Sequence, residues 1–130
     1  MTAMDSTVAP TGKLTQQLVA MPKDTNPSGD IFAGWLIGQM DMAAATAASH
    51  VSKGRATTVV MERVEFLTPV VVGDQVSCYT ELIDTGRSSM KIRVEVYVTD
   101  ARSGLARKVT ETVFIYVAIN ELGGIRELPN

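Results

Sequence analysis

The sequence of 130 residues has little of the chemistry on which many enzymes depend. It contains one cysteine, Cys78, which excludes an intramolecular disulfide and a cysteine-based zinc cluster. It contains one histidine, His50, which excludes a multi-histidine metal site and most histidine dyads. Neither sign of charge dominates, because there are 12 basic and 14 acidic residues, so no strongly basic nucleic-acid-binding surface is expected. We therefore expect neither a bound metal nor a nucleic-acid partner.

The start of the chain also lacks the features of a secretory signal. Residues 1–12 have no basic segment and no apolar core, and they are small and polar. We predict a flexible arm over residues 1–12 and a cytoplasmic location. The length is typical of one domain, which we place over residues 13–130, and the 45% hydrophobic content is typical of a globular protein.

Alternating side chains predict an antiparallel sheet. Strands are expected over residues 13–21, 56–66, 75–84, 90–99 and 107–119. The pattern is clearest in the fourth strand, where every second residue is apolar and one face is therefore buried: Met90, Ile92, Val94, Val96 and Val98. In the last strand the apolar residues that share a face are Val109, Val113, Ile115, Val117 and Ile119.

One nearly uncharged helix is predicted over residues 31–51, and its alanine-rich part favours helix strongly. Its length approaches that of a membrane span, but Gln39 and Asp41 lie at its middle, where polar and ionisable groups are costly in lipid. We therefore expect no membrane span. The sheet has one face to cover, and this helix is the element available to cover it. The predicted fold class is α+β, with a curved antiparallel sheet wrapped around one long helix.

The helix is apolar nearly all round, so its own sheet leaves one side uncovered. A second subunit is expected to cover that side. Gly34 and Gly38, one turn apart, would allow another backbone to approach closely. They could equally be close-packing positions within the chain.

Asp41 is the only charged residue between Asp30 and Lys53. A lone buried carboxylate is costly without partners, and such groups concentrate at functional sites. We therefore expect a functional role for Asp41, although it could instead accept backbone or hydroxyl hydrogen bonds and hold the core together. Glu62 is a second candidate carboxylate, for which a salt-bridged sheet residue is the favoured interpretation.

The remaining reactive residues favour structural roles. His50 follows Asp41 by nine residues, about two and a half helical turns, which is too far for a catalytic pair. A position at the C-terminal end of the helix, where the dipole favours a cation, explains it better. Cys78 is expected in the core. No phosphate-binding glycine motif of the Walker or dinucleotide type is present in the sequence.

The residues around the helix resemble hot-dog fold acyl-CoA thioesterases, and in particular their bacterial YciA-type branch. The resemblance covers residues 13–128 and rests on a long, specific motif and four shorter ones: MPKDTNPSGDIFAGWLIGQMD at 21–41, GR at 54–55, TVVME at 58–62, FLTPVVVGD at 66–74 and GRSS at 86–89. It implies a hot-dog fold and the hydrolysis of acyl-CoA to a carboxylic acid and CoA, with a place in fatty acid metabolism. It also implies an active site at a homodimer interface and dimers grouped as a trimer.

The resemblance also implies roles for residues. Asp41 matches the catalytic carboxylate, Asn26 the loop amide, and Gly34 belongs to the glycine-rich beginning of the helix that polarises the thioester carbonyl. Asn26 could alternatively only structure its loop. The predicted substrate-binding residues are Gly29, Asp30, Ile31, Phe32, Arg55, Gly86, Arg87, Ser88, Ser89 and Lys91. Those in the turn at 86–89 are the first choice for the CoA phosphates, with Arg55 and Lys91 behind them, and each could instead be an ordinary surface residue.

The chemistry of thioester hydrolysis fits this division of roles. The unpaired N–H groups of a helix N-terminus can stabilise an oxyanion, which is often the largest catalytic contribution. Asp41 could activate water as a general base or attack the carbonyl directly. No cofactor is expected, because CoA arrives with the substrate. The alternatives are a non-catalytic acyl-CoA sensor and a hydroxyacyl-thioester dehydratase, for which His50 is poorly placed.

Overall fold

The computed structural model describes residues 9–130. Its strands are β1 (Lys13–Val19), β2 (Ala56–Met61), β3 (Gln75–Thr85), β4 (Ser89–Thr99) and β5 (Ala106–Ala118). They form one antiparallel sheet in the order β1-β3-β4-β5-β2, and the helix α1 (Ala33–Ser52) contacts all five strands. The predicted α+β class is confirmed.

The core lies between α1 and one face of the sheet. The alternation predicted for β4 is confirmed, since all five of its even-numbered apolar side chains from Met90 to Val98 are completely buried. Met40, Ala43, Ala44 and Ala48 of α1 pack against them. The small alanines let the helix lie close to the sheet, which explains why this part of the helix is so rich in alanine.

Both ends of α1 differ slightly from the prediction. The helix begins at Ala33 because the two preceding N–H groups bind elsewhere: Ile31 N donates to Val70 O and Phe32 N donates to Asp24 O. It ends with Lys53 in the left-handed conformation. Gly54 is needed for a different reason, since a Cβ there would lie 2.7 Å from the Arg126 guanidinium. That guanidinium donates to the carbonyls of Ser52, Arg55 and Ile119, and so ties the C-terminal segment to the end of the helix.

The second strand is shorter than predicted, because β2 ends at Met61 and residues 62–66 are not in a strand. Threonine hydroxyls of β5 replace part of the ladder there. Thr112 Oγ1 donates to the carbonyl of Glu62, and Thr110 Oγ1 donates to that of Glu65. Glu62 itself is exposed and makes no ion pair within residues 9–130, so its interpretation as a salt-bridged sheet residue is wrong.

The last strand presents its bulkier side chains to the core. Val113, Ile115 and Val117 do share a face, but it is the half-buried outer face of the sheet. The opposite, helix-facing side carries Phe114 and Tyr116, both fully buried. A register irregularity opposite Val96 and Tyr97 changes the alternation, so Val109 is buried with the core.

Two further predictions concern single residues. Cys78 is fully buried in the core, and His50 lies exposed in the last turn of α1, as expected. The arm predicted over residues 1–12 lies mainly outside the described residues. Of the described part, Thr11 donates through N and Oγ1 to the Glu95 carboxylate. Within residues 9–130, no helix is both long and apolar enough to cross a membrane.

Candidate active site

The loop before α1 is shaped by a buried aspartate. Asp24 ends a short 3₁₀ turn (Pro22–Asp24), and its carboxylate accepts from Met21 N at 3.1 Å and from Lys23 Nζ at 3.0 Å. Its carbonyl oxygen accepts from Phe32 N, at the beginning of α1. A buried acid with this many donors is a rigid anchor, so the loop is held against the helix.

Asn26 closes the next turn of the loop. Its side-chain oxygen accepts from Ser28 N at 2.9 Å and from Asp30 N at 3.2 Å, while its own N–H donates to Asp30 O at 2.7 Å. Gly29, with a φ of 87°, provides the left-handed residue that this turn requires. The Asn26 side-chain nitrogen makes no hydrogen bond within residues 9–130. The loop-structuring role is therefore present, and the NH₂ group is left to bind something else.

The first turn of α1 has free donors. Phe32 caps the helix without a side-chain hydrogen bond, and in the described part of the chain the N–H groups of Ala33 and Gly34 bind no acceptor. These donors lie beside a pocket of about 270 Å³. Its lining consists of Asn26, Asp30, Ile31, Ala33, Leu36, Phe66, Thr68, Pro69 and Val70. Unpaired N–H groups at a helix N-terminus attract negative charge, so this pocket can hold a developing oxyanion.

The two helix glycines have open space beside them in the described part of the chain. Among residues 9–130, a Cβ at Gly34 would meet only the Phe32 ring, at an ordinary 3.5 Å, and a Cβ at Gly38 would meet nothing within 4 Å. Close packing against these residues therefore does not explain either glycine. Both positions leave room for the approach of a substrate or of a second backbone.

Asp41 lies two turns farther along α1 and is partly buried. Its Oδ1 accepts from Thr58 Oγ1 at 2.7 Å and from the Tyr116 hydroxyl. It makes no ion pair within residues 9–130. Burial, followed by the hydrogen bond with Asp41, raises the pKa of Tyr116 far above its usual value, so its phenol stays protonated at neutral pH. Asp41 is thus held by neutral hydroxyl donors.

Sequence reasoning did not single out Tyr116 or Thr58. Thr58 was named only as part of a motif. The prediction for β5 considered its valines and isoleucines, most of which lie on the face opposite to Tyr116. A usable signal is nevertheless present. Tyr116 and Phe114 alternate on one face of β5, and a buried tyrosine hydroxyl normally finds a polar partner.

The residues predicted to bind CoA lie apart from this pocket. The turn at 86–89 is closed by Gly86 N donating to Ser89 O, and Ser88 O accepts from Ala118 N. Arg87 is highly exposed and lies 3.8 Å from the Glu127 carboxylate. Lys91 is exposed on β4. Arg55 instead donates to the carbonyls of Asn120 and Glu121, so it already serves to hold the C-terminal segment.

One chain therefore does not bring all the predicted residues together. Asn26, Asp30 and Ile31 line the same pocket and Phe32 caps the helix beside it, whereas Asp41 and the turn at 86–89 do not line it. Large apolar side chains are exposed at the N-cap of α1, within α1, in β2 and at residues 66–67. They are Phe32, Met42, Val59, Val60, Met61, Phe66 and Leu67. Those of β2 follow one another directly, and a continuous exposed apolar segment is typical of an interaction surface.

Comparison with known proteins identifies the class to which this fold and site belong. A model of the thioesterase superfamily matches residues 28–104, which include Gly34, Asp41 and the turn at 86–89. The chain belongs to this superfamily, and its fold is the hot-dog fold of the solved structures it matches.

Individual relatives are more specific. The acyl-CoA thioester hydrolase YciA of Salmonella typhimurium is 46% identical over 132 residues, covering 99% of this chain and 98% of the relative. The YciA protein of Escherichia coli K12 is 45% identical over 123 residues, covering 92% and 93%. A hexameric thioesterase from Yersinia pestis superposes with a TM-score of 0.90 at 47% identity, covering 94% of this chain and 99% of that structure. The expected family is confirmed.

Proposed function

We propose that this chain is an acyl-CoA thioester hydrolase whose active sites are each built from two subunits. The observation that carries the proposal is the division of the chemistry along α1. Among the residues that the structure describes, N–H donors without an acceptor lie at the beginning of the helix, and a carboxylate that makes no ion pair lies at its middle. The names of the YciA relatives and of the hexameric thioesterases support the substrate class.

The reaction needs both groups at one carbonyl carbon. Water attacks that carbon while Asp41 accepts its proton, and the N–H groups of Ala33 and Gly34 stabilise the resulting oxyanion. The oxyanion then collapses, the carbon–sulfur bond breaks and the thiolate leaves. The thiolate takes up the proton, so the products are a carboxylic acid and CoA. The NH₂ group of Asn26 positions the water or the thioester oxygen. No cofactor takes part in this scheme.

A direct attack of Asp41 on the carbonyl would give the same products through an anhydride. A single turnover in ¹⁸O-labelled water separates the two routes. The general-base route puts the label only in the released acid, whereas hydrolysis of an anhydride can leave label on the Asp41 carboxylate. Mass spectrometry of the peptide that contains Asp41 measures this directly.

The shared site follows from distance. Asp41 is eight residues beyond Ala33, or roughly 12 Å along the helix axis. The N–H donors and the carboxylate of one straight helix therefore cannot both reach one carbonyl carbon. If two helices pack antiparallel across a two-fold axis, the beginning of one lies beside the middle of the other. Each dimer then has two equivalent sites. The open surface at Gly34 and Gly38 and the exposed apolar side chains of β2 support this arrangement.

Larger assembly and location are part of the same proposal. We place three such dimers in a hexamer, because solved structures similar to this chain are described as hexameric. We place the enzyme in the cytoplasm, which fractionation of the source cells tests.

The turn at 86–89, with Arg87 in it, is proposed to bind the phosphates of CoA.

Thiol release tests the activity. Acetyl-, butyryl- and palmitoyl-CoA are incubated with the enzyme, and free CoA is followed with a chromogenic thiol reagent. Release of thiol is expected with at least one acyl chain, and the profile gives the preferred length. Tight binding of every acyl-CoA without thiol release would contradict the proposal and favour a sensor.

Complementation tests the shared site. Asn26→Ala and Asp41→Ala proteins, each nearly inactive alone, are mixed under conditions that exchange subunits. Random mixing makes half of the dimers hybrids with one intact site each, so activity should rise to about a quarter of wild type. A mixture that stays inactive, although mass spectrometry detects hybrids, would show that each chain carries its own complete site.

A further inference from the structure

The two oxygens of the Asp41 carboxylate have different surroundings. Oδ1 accepts from Thr58 Oγ1 at 2.7 Å and is in hydrogen-bond contact with the Tyr116 hydroxyl, which also lies 2.8 Å from the Asp41 carbonyl oxygen. Oδ2 makes no hydrogen bond with any group in residues 9–130. Two donors on one oxygen and none on the other is an uneven arrangement for a partly buried carboxylate, which normally satisfies both oxygens.

The sheet register explains how the two hydroxyls meet. Thr58 of β2 and Tyr116 of β5 are directly paired across the antiparallel ladder, so their side chains emerge on the same face and point to α1. The register irregularity of β2 comes immediately after Thr58, between Thr58 and Val60. A bulge at this point ends the regular alternation beside the residue that contacts Asp41, as bulges near active sites often do.

The Tyr116 hydroxyl is held firmly. Tyr116 is 2% exposed, and its ring lies 6.5 Å from that of Phe114. Its phenol cannot move away without opening the core between α1 and β5. The terminal torsion of an aspartate is otherwise broad, so these contacts determine the plane of the carboxylate.

We infer that Thr58 and Tyr116 are positioning residues that hold Asp41 by Oδ1 and present Oδ2 as the oxygen that reacts. This inference rests on the catalytic role proposed for Asp41 and adds which atom acts and what orients it. In the general-base route, Oδ2 takes the proton of the attacking water. In the anhydride route, Oδ2 forms the bond to the carbonyl carbon.

Neutral donors suit this role. A cation on Oδ1 would orient the carboxylate equally well, but it would also make the group a much weaker base or nucleophile. Hydroxyl groups carry no charge, so they orient the carboxylate without placing a positive charge beside it. Burial keeps Tyr116 in the donor form throughout the useful pH range.

The test uses hydroxyl deletions that keep the shape of each side chain. Tyr116→Phe and Thr58→Val are expected to lower kcat by about tenfold each while KM changes by less than about twofold, because the lost contact acts on the reacting group and not on substrate binding. The dependence of kcat/KM on pH is also recorded for both variants, and it should differ from that of wild type. Thr58→Ser restores a hydroxyl and should return kcat to near the wild-type value.

Tyr97→Phe is the matched control. Tyr97 is also a buried tyrosine, but it lies on the outer face of the sheet and its hydroxyl has no partner within residues 9–130. Its kcat and pH profile should equal those of wild type. If the deletion at Tyr116 unfolds the protein, the Val and Ser variants of Thr58 still carry the test.

The outcomes separate this inference from the proposed function. If Asp41→Asn is inactive while Tyr116→Phe and Thr58→Val keep the wild-type kcat and pH profile, the positioning role is wrong and the catalytic role stands. A change confined to KM would likewise contradict positioning. If Asp41→Asn itself keeps full turnover, the proposed function fails.

Discussion

Charged side chains have different partners on the two faces of the sheet. On the outer face, Lys108 pairs with Glu95 and Glu111, and Arg93 pairs with Glu81. On the helix face, Asp41 meets only hydroxyl groups among the described residues. Carboxylates that stabilise the outer face are thus paired with cations, whereas the carboxylate proposed for the chemistry is oriented by uncharged hydroxyl groups.

The pKa of Glu95 illustrates the outer face. Burial by itself would raise it, but the hydrogen bonds from Thr11 and from Lys108 outweigh burial, and the pKa lies below its usual value. The hydrogen bonds with Glu95 and Glu111 likewise outweigh burial at Lys108 and raise its pKa. Each partner therefore keeps the other charged over the whole neutral range.

The largest effect on kcat is expected from the loss of the Asp41 carboxylate on the helix face. Asp41→Asn removes the base but keeps nearly the same shape, so kcat should fall by roughly a hundredfold or more while the melting temperature stays close to that of wild type. Thiol release and thermal unfolding measure the two quantities. A folded Asp41→Asn protein that turns over at nearly the wild-type rate would contradict the catalytic role proposed for Asp41.

The same acid-to-amide change on the outer face should do the opposite. Glu95→Gln loses the buried ion pair with Lys108, so the free energy of unfolding in urea should fall by about 2 kcal/mol, while kcat per folded molecule stays within about twofold of wild type. This variant is also the matched control for Asp41→Asn. A loss of activity without a loss of stability would reverse the roles of the two faces.

The pH dependence of stability tests the stabilising role of the Glu95 charge. Because the folded-state pKa of Glu95 is lowered, its contribution to stability is present above the unfolded value of about 4.3 and is lost as the pH falls through the folded value. The stability difference between wild type and Glu95→Gln should therefore be full at pH 7 and shrink below about pH 4. Urea unfolding at pH 7, 5 and 3.5 measures it. A difference that stays constant over this range would mean that the Glu95 charge contributes nothing.

The smallest effect concerns a cation that is only loosely paired. Arg87→Ala should raise KM for acyl-CoA by about fivefold and leave kcat nearly unchanged, because a phosphate contact far from the thioester binds ground state and transition state alike. Arg102→Ala is the matched control, since Arg102 is also an exposed arginine and lies in the turn at the other end of β4. Equal KM values for the two variants would place the CoA phosphates elsewhere.

Local patterns in the sequence were sufficient to predict those helices and strands in which the apolar side chains follow one regular spacing. The alternation in β4 and the nearly uncharged, alanine-rich sequence of the helix were sufficient, because each of these patterns is local in the sequence. The end of β2 could not be predicted, since the side chains of Thr110 and Thr112, which are 45 and 50 residues away from their partners, take over its hydrogen bonds.

The residues of the candidate site likewise fall into those that a local pattern predicts and those that depend on the pairing of distant strands. Asp41 was found from its isolation in an apolar helix, and Asn26 from a motif resemblance; their roles stay predictions. The contact of Asp41 with Thr58 and Tyr116 was missed because it depends on the register between β2 and β5. A one-residue slip would turn Thr58 to the other face, and nothing in either strand alone specifies where the bulge falls.

The burial of Cys78 has a consequence for an enzyme whose product is a thiol. Each turnover of the proposed reaction releases CoA, whose disulfide can exchange with any accessible protein thiolate. Cys78 faces the core from β3, and burial raises the pKa of its thiol to about 12, so almost no thiolate exists at neutral pH. The one cysteine of the chain is therefore protected from mixed disulfides with the enzyme's own product, and turnover in a pool of CoA and its disulfide leaves the protein unmodified.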